Sequence, residues 1–391
     1  MSAATEEIER IITNTLKISG VSIPDKPENN CTGALVCDGQ FDVFKKNFYD
    51  RLTRLSKKLN STGRQELGKK LKELAIKPNN KWAGPYSEII ALDAILSEKD
   101  VFDFEYVSVK DGKSISGSLA SKNKALVIDN DFSFKYHRTR INGDVKSLVP
   151  DSFELLDKIR EEIETNTPNV LIGITETEDL SVSDIQSILA INRVRIKNEL
   201  EVAVKNKEHS LCIAVKDKEI NFAMVYMNEK HTTLCTQKSL NPYKSATIDS
   251  FKPIYHFGKL MPSDYNFFVY VTNPWWNNNY PCVFDDCSRE YYRSFARRLF
   301  VGLQNDNRLI SDIGAESSII CIGEVSKQIA GLMFIEDYSI TKSELIYGCY
   351  LYLNPNYEIT KPLNKYDFGN LFRQSDLVEL KEIDDFGDDN Y

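Results

Sequence analysis

Apolar residues recur at helical spacing through the first part of the chain. Ile8, Ile11, Ile12, Leu16 and Ile18 approximate one stripe, and Phe41, Phe44, Phe48, Leu52 and Leu55 make a second. Asn60-Ser61-Thr62-Gly63 interrupts the pattern, which Leu67, Leu71 and Leu74 resume. Pro24 to Asn30 (PDKPENN) reads as a linker. Gly84-Pro85 then opens a helix over Tyr86 to Leu96, with Ile89, Leu92 and Leu96 on its inner face. Glu88 lies one turn before Leu92, so it can project beside the apolar stripe.

After this helix the period shortens. Phe102–Val109, Ile115–Ala120 and Ala125–Ile128 read as three strands, the first two joined at the hairpin signal Asp111-Gly112. Pro150-Asp151-Ser152 caps a helix through Ile163, Val170–Thr175 reads as a buried strand, and Ser183 caps a long helix to Lys205. Strands follow at Leu211–Val215 and Phe222–Met227. The order from Tyr86 is αβββ, then α, β, α, β, which predicts a mixed α/β layer fold. Residues 230–260 are polar and loop-rich. Beyond them come a strand at Phe267–Thr272, the turn-like NPWWNNNYP and a helix from Arg289 to Leu303. Strands at Ser318–Gly323, Gly331–Ile335 and Ile346–Leu353 complete the pattern. The expected division is an N-terminal helical region at 1–80, an α/β core at 81–215 and a C-terminal α+β domain with an acidic tail at 216–391.

The chain has 391 residues, 42% hydrophobic and 27% charged, enough to bury more than one core. No apolar run approaches the ~20 residues of a membrane helix. The first twenty residues carry acids where a signal peptide would be basic, so a cytoplasmic location is expected. The net charge of −8 argues against indiscriminate coating of nucleic acid. Locally the balance reverses: from Phe41 to Lys81 basic residues outnumber acidic ones twelve to four. Such a patch suits nucleic acid approaching one face, and equally a solvated helix surface. Of eight cysteines, Cys212, Cys321 and Cys349 sit in apolar runs, and the Cys31/Cys37 and Cys282/Cys287 pairs have no His at ligand spacing.

There is no Gly-rich phosphate loop, no HExxH, no GxSxG elbow and no kinase signature. With four histidines, a His-rich metal centre is not expected. What remains is chemistry built from carboxylates and lysine. Glu88 in GPYSEIIAL, and Asp129, Asp131 and Lys135 in ALVIDNDFSFK, are the candidates. On these residues the stretch 84–135 resembles the PD-(D/E)XK, or restriction-endonuclease-like, nuclease superfamily. The resemblance implies a helix carrying a glutamate, then three strands, the second with a metal-binding Asp and the third ending in (D/E)-x-K. It makes Glu88, Asp129 and Asp131 ligands of Mg²⁺ or Mn²⁺, with Lys135 beside them to orient water or stabilise developing charge. The chain departs from the pattern twice. Gly117 and Ser118 stand where the second strand's Asp belongs. In register the triplet falls on Asp129-Asn130-Asp131, so Lys135 has to serve from four residues beyond Asp131.

Two basic groups complete the reading. His137, Arg138 and Arg140, within KYHRTR, can grip phosphates, and Arg289, Arg293 and Arg297 recur every fourth residue along one helix face, able to track a phosphate backbone or bind an acidic protein. Each candidate also has an ordinary structural role: Glu88 near the positive end of a helix, Asp129 to Asp131 as a turn, the arginines as a solvated face. Two functions stay open. One is a metal-dependent nuclease acting on DNA or RNA, which the resemblance would connect with restriction or antiviral defence. The other is a catalytically inactive scaffold or interaction subunit of a larger protein or nucleic-acid complex. No membrane partner is expected.

Overall fold

The computed structural model describes residues 3–24, 30–77, 82–110, 128–148, 159–160, 162–164, 166–167, 169–175, 182–215, 218–226, 242–260, 265–272, 285–313 and 320–388. The expected helical stripes become α1 (Ala3–Asn14), α2 (Asp42–Lys58) and α3 (Ser61–Ile76), and they bury Ile8, Ile11 and Ile12, Phe44, Phe48, Leu52 and Leu55, and Leu67, Leu71 and Leu74. The side chain of Asn60 caps α3 by accepting from the Gly63 N–H at 2.8 Å. The fourth helix, α4 (Ala83–Ser97), is buried on nearly every side because its sequence is apolar all round. It packs against α2 and α3 and against the strands β3 (Thr139–Ser147) and β7 (Tyr265–Thr272).

The protein is a mixed α/β fold. Among the described residues its larger sheet has seven strands in the order β1-β2-β3-β7-β8-β9-β10, where β1 is Val101–Lys110, β2 is Ile128–Tyr136, β8 is Gly331–Asp337, β9 is Tyr347–Leu353 and β10 is Val378–Asp384. β1, β2 and β3 form an antiparallel meander, and β3 then pairs in parallel with β7, Ile141 opposite Tyr265 through Ser147 opposite Val271. A parallel neighbour requires a crossover. Here the crossover contains a second sheet of three strands in the order β4-β6-β5: β4 is Val170–Thr175, β5 Ser210–Val215 and β6 Lys218–Tyr226.

The contacts divide the chain into two compact units, residues 1–148, 252–276 and 296–391 in the first, and 149–251 and 277–295 in the second. This differs from the expected boundaries at 80/81 and 215/216, the second of which falls between the paired strands β5 and β6. The N-terminal helices and β7 to β10 share one core: Phe48, Leu67 and Ile89 belong with Val269, Met333 and Leu351. The second unit has its own core, where Val170 and Ile172 of β4 and Phe222 and Met224 of β6 pack with Ile196 and Leu200 of α5 (Val182–Lys205). β4 is therefore not the fourth strand of the main sheet; β7 is. The second unit also contains α6 (Pro242–Asp249), and α7 (Lys252–Tyr255) and α8 (Asp285–Arg297) follow in the chain.

Among the described residues the meander runs β1, β2, β3. The strands expected at Ile115–Ala120 and Ala125–Ile128 lie outside the described residues except for Ile128, which opens β2. The stretch expected as the third strand's end is β2, and β3 follows it after a two-residue turn. His137 takes φ 50° in that turn, a conformation usually left to glycine or asparagine. Within β3, Gly143 lies opposite Phe132, and a Cβ on it would sit 2.2 Å from the phenyl ring. Gly143→Ala should therefore displace Phe132 and cost about 1–3 kcal/mol, measurable as a lowered urea midpoint with unchanged m-value.

Candidate active site at a fork between two strands

β2 and β3 are paired from Tyr136–Thr139 to Phe132–Gly143 and then part. β2 stays with β1 as far as Ile128 opposite Lys110, while β3 stays with β7 as far as Ser147. Asp131 and Asp144 are the next residue on each side of this fork. The Asp131 carboxylate replaces the lost ladder bond by accepting from the Val145 N–H at 2.6 Å. Alternation along β3 puts Val145 into the core and Asp144 and Lys146 on the opposite face. Their charged groups meet, the Lys146 Nζ 2.5 Å from Asp144 Oδ2. Asp144 is only 3% exposed, and neither carboxylate oxygen receives a well-directed hydrogen bond from the described residues.

Glu88 reaches toward the fork from α4. Its largely buried carboxylate holds Lys70 of α3, with Nζ to Oε2 at 2.9 Å and Nζ to Oε1 at 3.1 Å. Burial raises the Glu88 pKa and Glu73 adds to the rise, while Lys70 and Lys146 oppose it. Burial alone would lower the Lys70 pKa, but Glu88, Glu73 and Asp131 carry it above its ordinary value. Asp131 is affected most. Burial, then Asp144 and Glu88, push its pKa up to about 7, against the pull of Lys146 and the Val145 N–H. Three carboxylates on three elements thus share one electrostatic neighbourhood with two lysines. Among the described residues, no three His, Cys, Asp or Glu side chains stand close enough together to hold a metal as placed.

A raised carboxylate pKa has a definite sign. The folded state binds the Asp131 proton more tightly than the unfolded chain does, so this group costs nothing below its ordinary pKa of 3.8 and penalises folding increasingly as pH rises toward about 7. Asp131→Asn keeps an acceptor for Val145 and removes the charge. It should raise the melting temperature at about pH 8 and leave it nearly unchanged near pH 4, as differential scanning calorimetry would read.

Of the residues singled out in the sequence, the fork gathers Glu88 and Asp131. Asp129 is on β2 opposite Val109, but its side chain is outside the described residues. Lys135 is at the other end of β2, where it pairs with Asp103 at 2.6 Å and lies over the Phe102 ring. Along the extended strand Lys135 is four residues, roughly 13 Å, beyond Asp131. His137 and Arg138 are exposed in the β2–β3 turn, and Arg140 is tied to Glu105 and Ser133, each at 2.8 Å. Arg289, 3.8 Å from Glu290, and Arg293 belong to the second unit, whereas Arg297 is an exposed residue of the first.

The residues missed in the sequence are Asp144 and Lys146. The letters Asp144-Val145-Lys146 spell the Asp-x-Lys triplet sought one strand earlier, and the alternation of β3 puts both charged side chains on one face. No helix of the described residues is long and apolar enough to cross a membrane. No family model, curated protein or solved structure matches the chain, so the fork and its charges carry the functional argument unaided.

Proposed function

We propose that the protein is a metal-dependent nucleic-acid phosphodiesterase with a PD-(D/E)XK-like core, in which Glu88, Asp131 and Asp144 are the carboxylates and Lys146 the lysine. The observation that carries this reading is that Asp131, anchored on the Val145 N–H, and the Asp144-x-Lys146 triplet lie at one fork, with the helix-borne Glu88 near enough to act on Asp131 electrostatically. The element order among the described residues supports it too: a helix, the strands β1, β2 and β3, and a further strand parallel to β3.

The residues present fit a divalent cation. Two buried Asp144 oxygens lack a directed donor from the described residues, and burial, then Asp144 and Glu88, raise the Asp131 pKa to about 7, an effect that a bound cation would offset. An all-oxygen donor set suits Mg²⁺ or Mn²⁺, and such an ion, when bound, neutralises charge that develops on a reacting phosphate. The chain's own groups do the positioning. Lys70 fixes the Glu88 carboxylate, the Val145 N–H fixes that of Asp131, and Lys146 presents an ammonium able to hold a phosphate oxygen or a water beside Asp144.

The test is cleavage of plasmid, single-stranded DNA and RNA by the full chain with Mg²⁺ or Mn²⁺, beside Glu88→Gln and Asp144→Asn. Cleavage by the parent chain alone is expected. One observation favours a catalytically inactive binding protein instead: Asp144 is already ion-paired to Lys146, with Lys259 at 3.7 Å. Binding of nucleic acid without cleavage under every metal condition would support that alternative and end the enzymatic one.

A further inference from the structure

A cavity of about 320 Å³ opens between the end of α2, the end of α4 and the start of β1, at the end of the β1–β2 pair away from the fork. Four consecutive residues of β1, Val101 to Phe104, border it. A regular strand turns every second side chain to the opposite face. β1 is not regular here: its pairing with β2 slips between Phe102 and Glu105, and Asp103 takes φ 48°. A bulge re-aims the residues beside it, and Phe102 is left 45% exposed although its ring is large and apolar. Positive φ costs an L residue free energy, and strain of this kind gathers at binding sites.

The facing wall carries a charge. Lys58, the last residue of α2, lines the cavity, and its ammonium donates to the Leu96 carbonyl of α4. That carbonyl takes one of three ammonium hydrogens. Among the described residues no carboxylate pairs with Lys58. Burial lowers its pKa in spite of Asp93 and Glu98. Those two acids are engaged elsewhere, Asp93 with Arg54 and the Tyr347 hydroxyl, Glu98 with the N–H groups of Lys99, Asp100 and Phe372. Asp103, the acid of the β1 wall, is paired with Lys135 at 2.6 Å. The charge left to meet a ligand is therefore positive.

These walls define the ligand's chemistry. A cavity of roughly 150 Å³ holds benzene, so one of about 320 Å³ admits a ring with a charged substituent. Phe102 and Phe104 offer aromatic surface to that ring, and a partly desolvated ammonium with donors to spare holds an anion by charge-assisted hydrogen bonds. A neutral ring would leave Lys58 unanswered, and a bare inorganic anion would leave Phe102 in water. We propose that the cavity binds a small aromatic anion, one ring carrying a carboxylate or a phosphate, with the ring against Phe102 and Phe104 and the anionic group on Lys58. The site is separate from the fork and does not depend on the nuclease-like reading.

The experiment is isothermal titration calorimetry of the full chain with phenyl phosphate and with benzoate, beside benzyl alcohol and inorganic phosphate. One site is expected for at least one aromatic anion, and the tighter of the two identifies the head group. Benzyl alcohol and inorganic phosphate should bind at least about tenfold more weakly. Lys58→Gln keeps a donor for the Leu96 carbonyl and removes the charge, so it should weaken binding of the aromatic anion about tenfold, and Lys58→Arg should recover most of the loss. Phe102→Ala, at an exposed ring, tests the other wall without touching Lys58 and should cause a similar loss. Lys57→Gln, an equal charge change outside the cavity wall, should leave binding nearly unaltered. Failure of both aromatic anions to bind would overturn the site. So would inorganic phosphate binding as tightly as phenyl phosphate, undiminished binding in Lys58→Gln, or an equal loss in Lys57→Gln.

Discussion

Lys146→Ala should reduce nucleic-acid cleavage by about 10²–10³-fold, on the scale of losing one preorganised charge at a reacting centre, while Lys135→Ala should leave the rate unchanged. The two lysines separate the site read from the letters of the sequence from the site proposed at the fork. Lys146 has its ammonium on a buried carboxylate at the fork, and Lys135 has its ammonium on the exposed carboxylate of Asp103. An exposed pair of that kind contributes at most about 1 kcal/mol, so Lys135→Ala should barely move the melting temperature. Lys146→Ala also unpairs Asp144 on one side, so lost activity must be separated from lost folding. Lys146→Arg preserves the ion pair and the fold yet changes the shape and position of the charge. A folded Lys146→Arg chain with strongly reduced kcat and little change in KM is expected. Full activity in Lys146→Ala would remove this lysine from the chemistry.

The largest stability effect should come from a different charge. Arg51 of α2 is fully buried, with its Nε donating to the Tyr347 hydroxyl at 2.7 Å and its guanidinium 3.7 Å from Asp93 and 3.6 Å from Asp337. The Tyr86 and Tyr347 hydroxyls donate to Asp337 and Asp93 at 2.7 and 2.8 Å, and their rings flank the guanidinium carbon at 5.9 and 5.6 Å. This cluster ties α2 and α4 to β8 and β9, so it connects the helix that carries Glu88 to the far half of the sheet. Arg51→Met leaves Asp337 buried without its cation, which should cost about 3–5 kcal/mol. For a unit of this size that is a fall of roughly 10 °C in melting temperature. The double variant Arg51→Met with Asp337→Asn removes both charges and retains an acceptor for Tyr86. It should recover much of the loss, and equal destabilisation by the single and double variants would show that packing matters here more than charge.

The helices were legible because their apolar residues repeat at one spacing and bury as that spacing predicts. Glu88 was read beside a stripe of Ile89, Leu92 and Leu96, but α4 is buried on nearly every side, and the carboxylate is set by its ion pair with Lys70 of α3. β3 was not legible, and the causes are local. Its interior contains Asn142-Gly143, a pair that ordinarily announces a turn, and here the glycine is needed to admit the Phe132 ring. The real turn before it has no glycine, because His137 accepts the positive φ. With β3 unseen, Asp144-Val145-Lys146 had no strand to align its charges. The pairing of β3 with β7 was hidden differently. The two strands are separated in sequence by a unit with a core of its own, and periodicity cannot tell which body a strand joins. The same limit applies to Arg289, Arg293 and Arg297, whose regular spacing describes a helix face and not its surroundings.

The central proposal is that a divalent cation binds between Asp131 and Asp144 at the fork, with Glu88 beside them. Its most direct test is an anomalous difference map from crystals of the full chain soaked in Mn²⁺ above about pH 7, where Asp131 is increasingly ionised. The account predicts a peak between the Asp131 and Asp144 carboxylates, within coordination reach of both. A peak elsewhere on the molecule, or none at the fork with these side chains ordered, would contradict it.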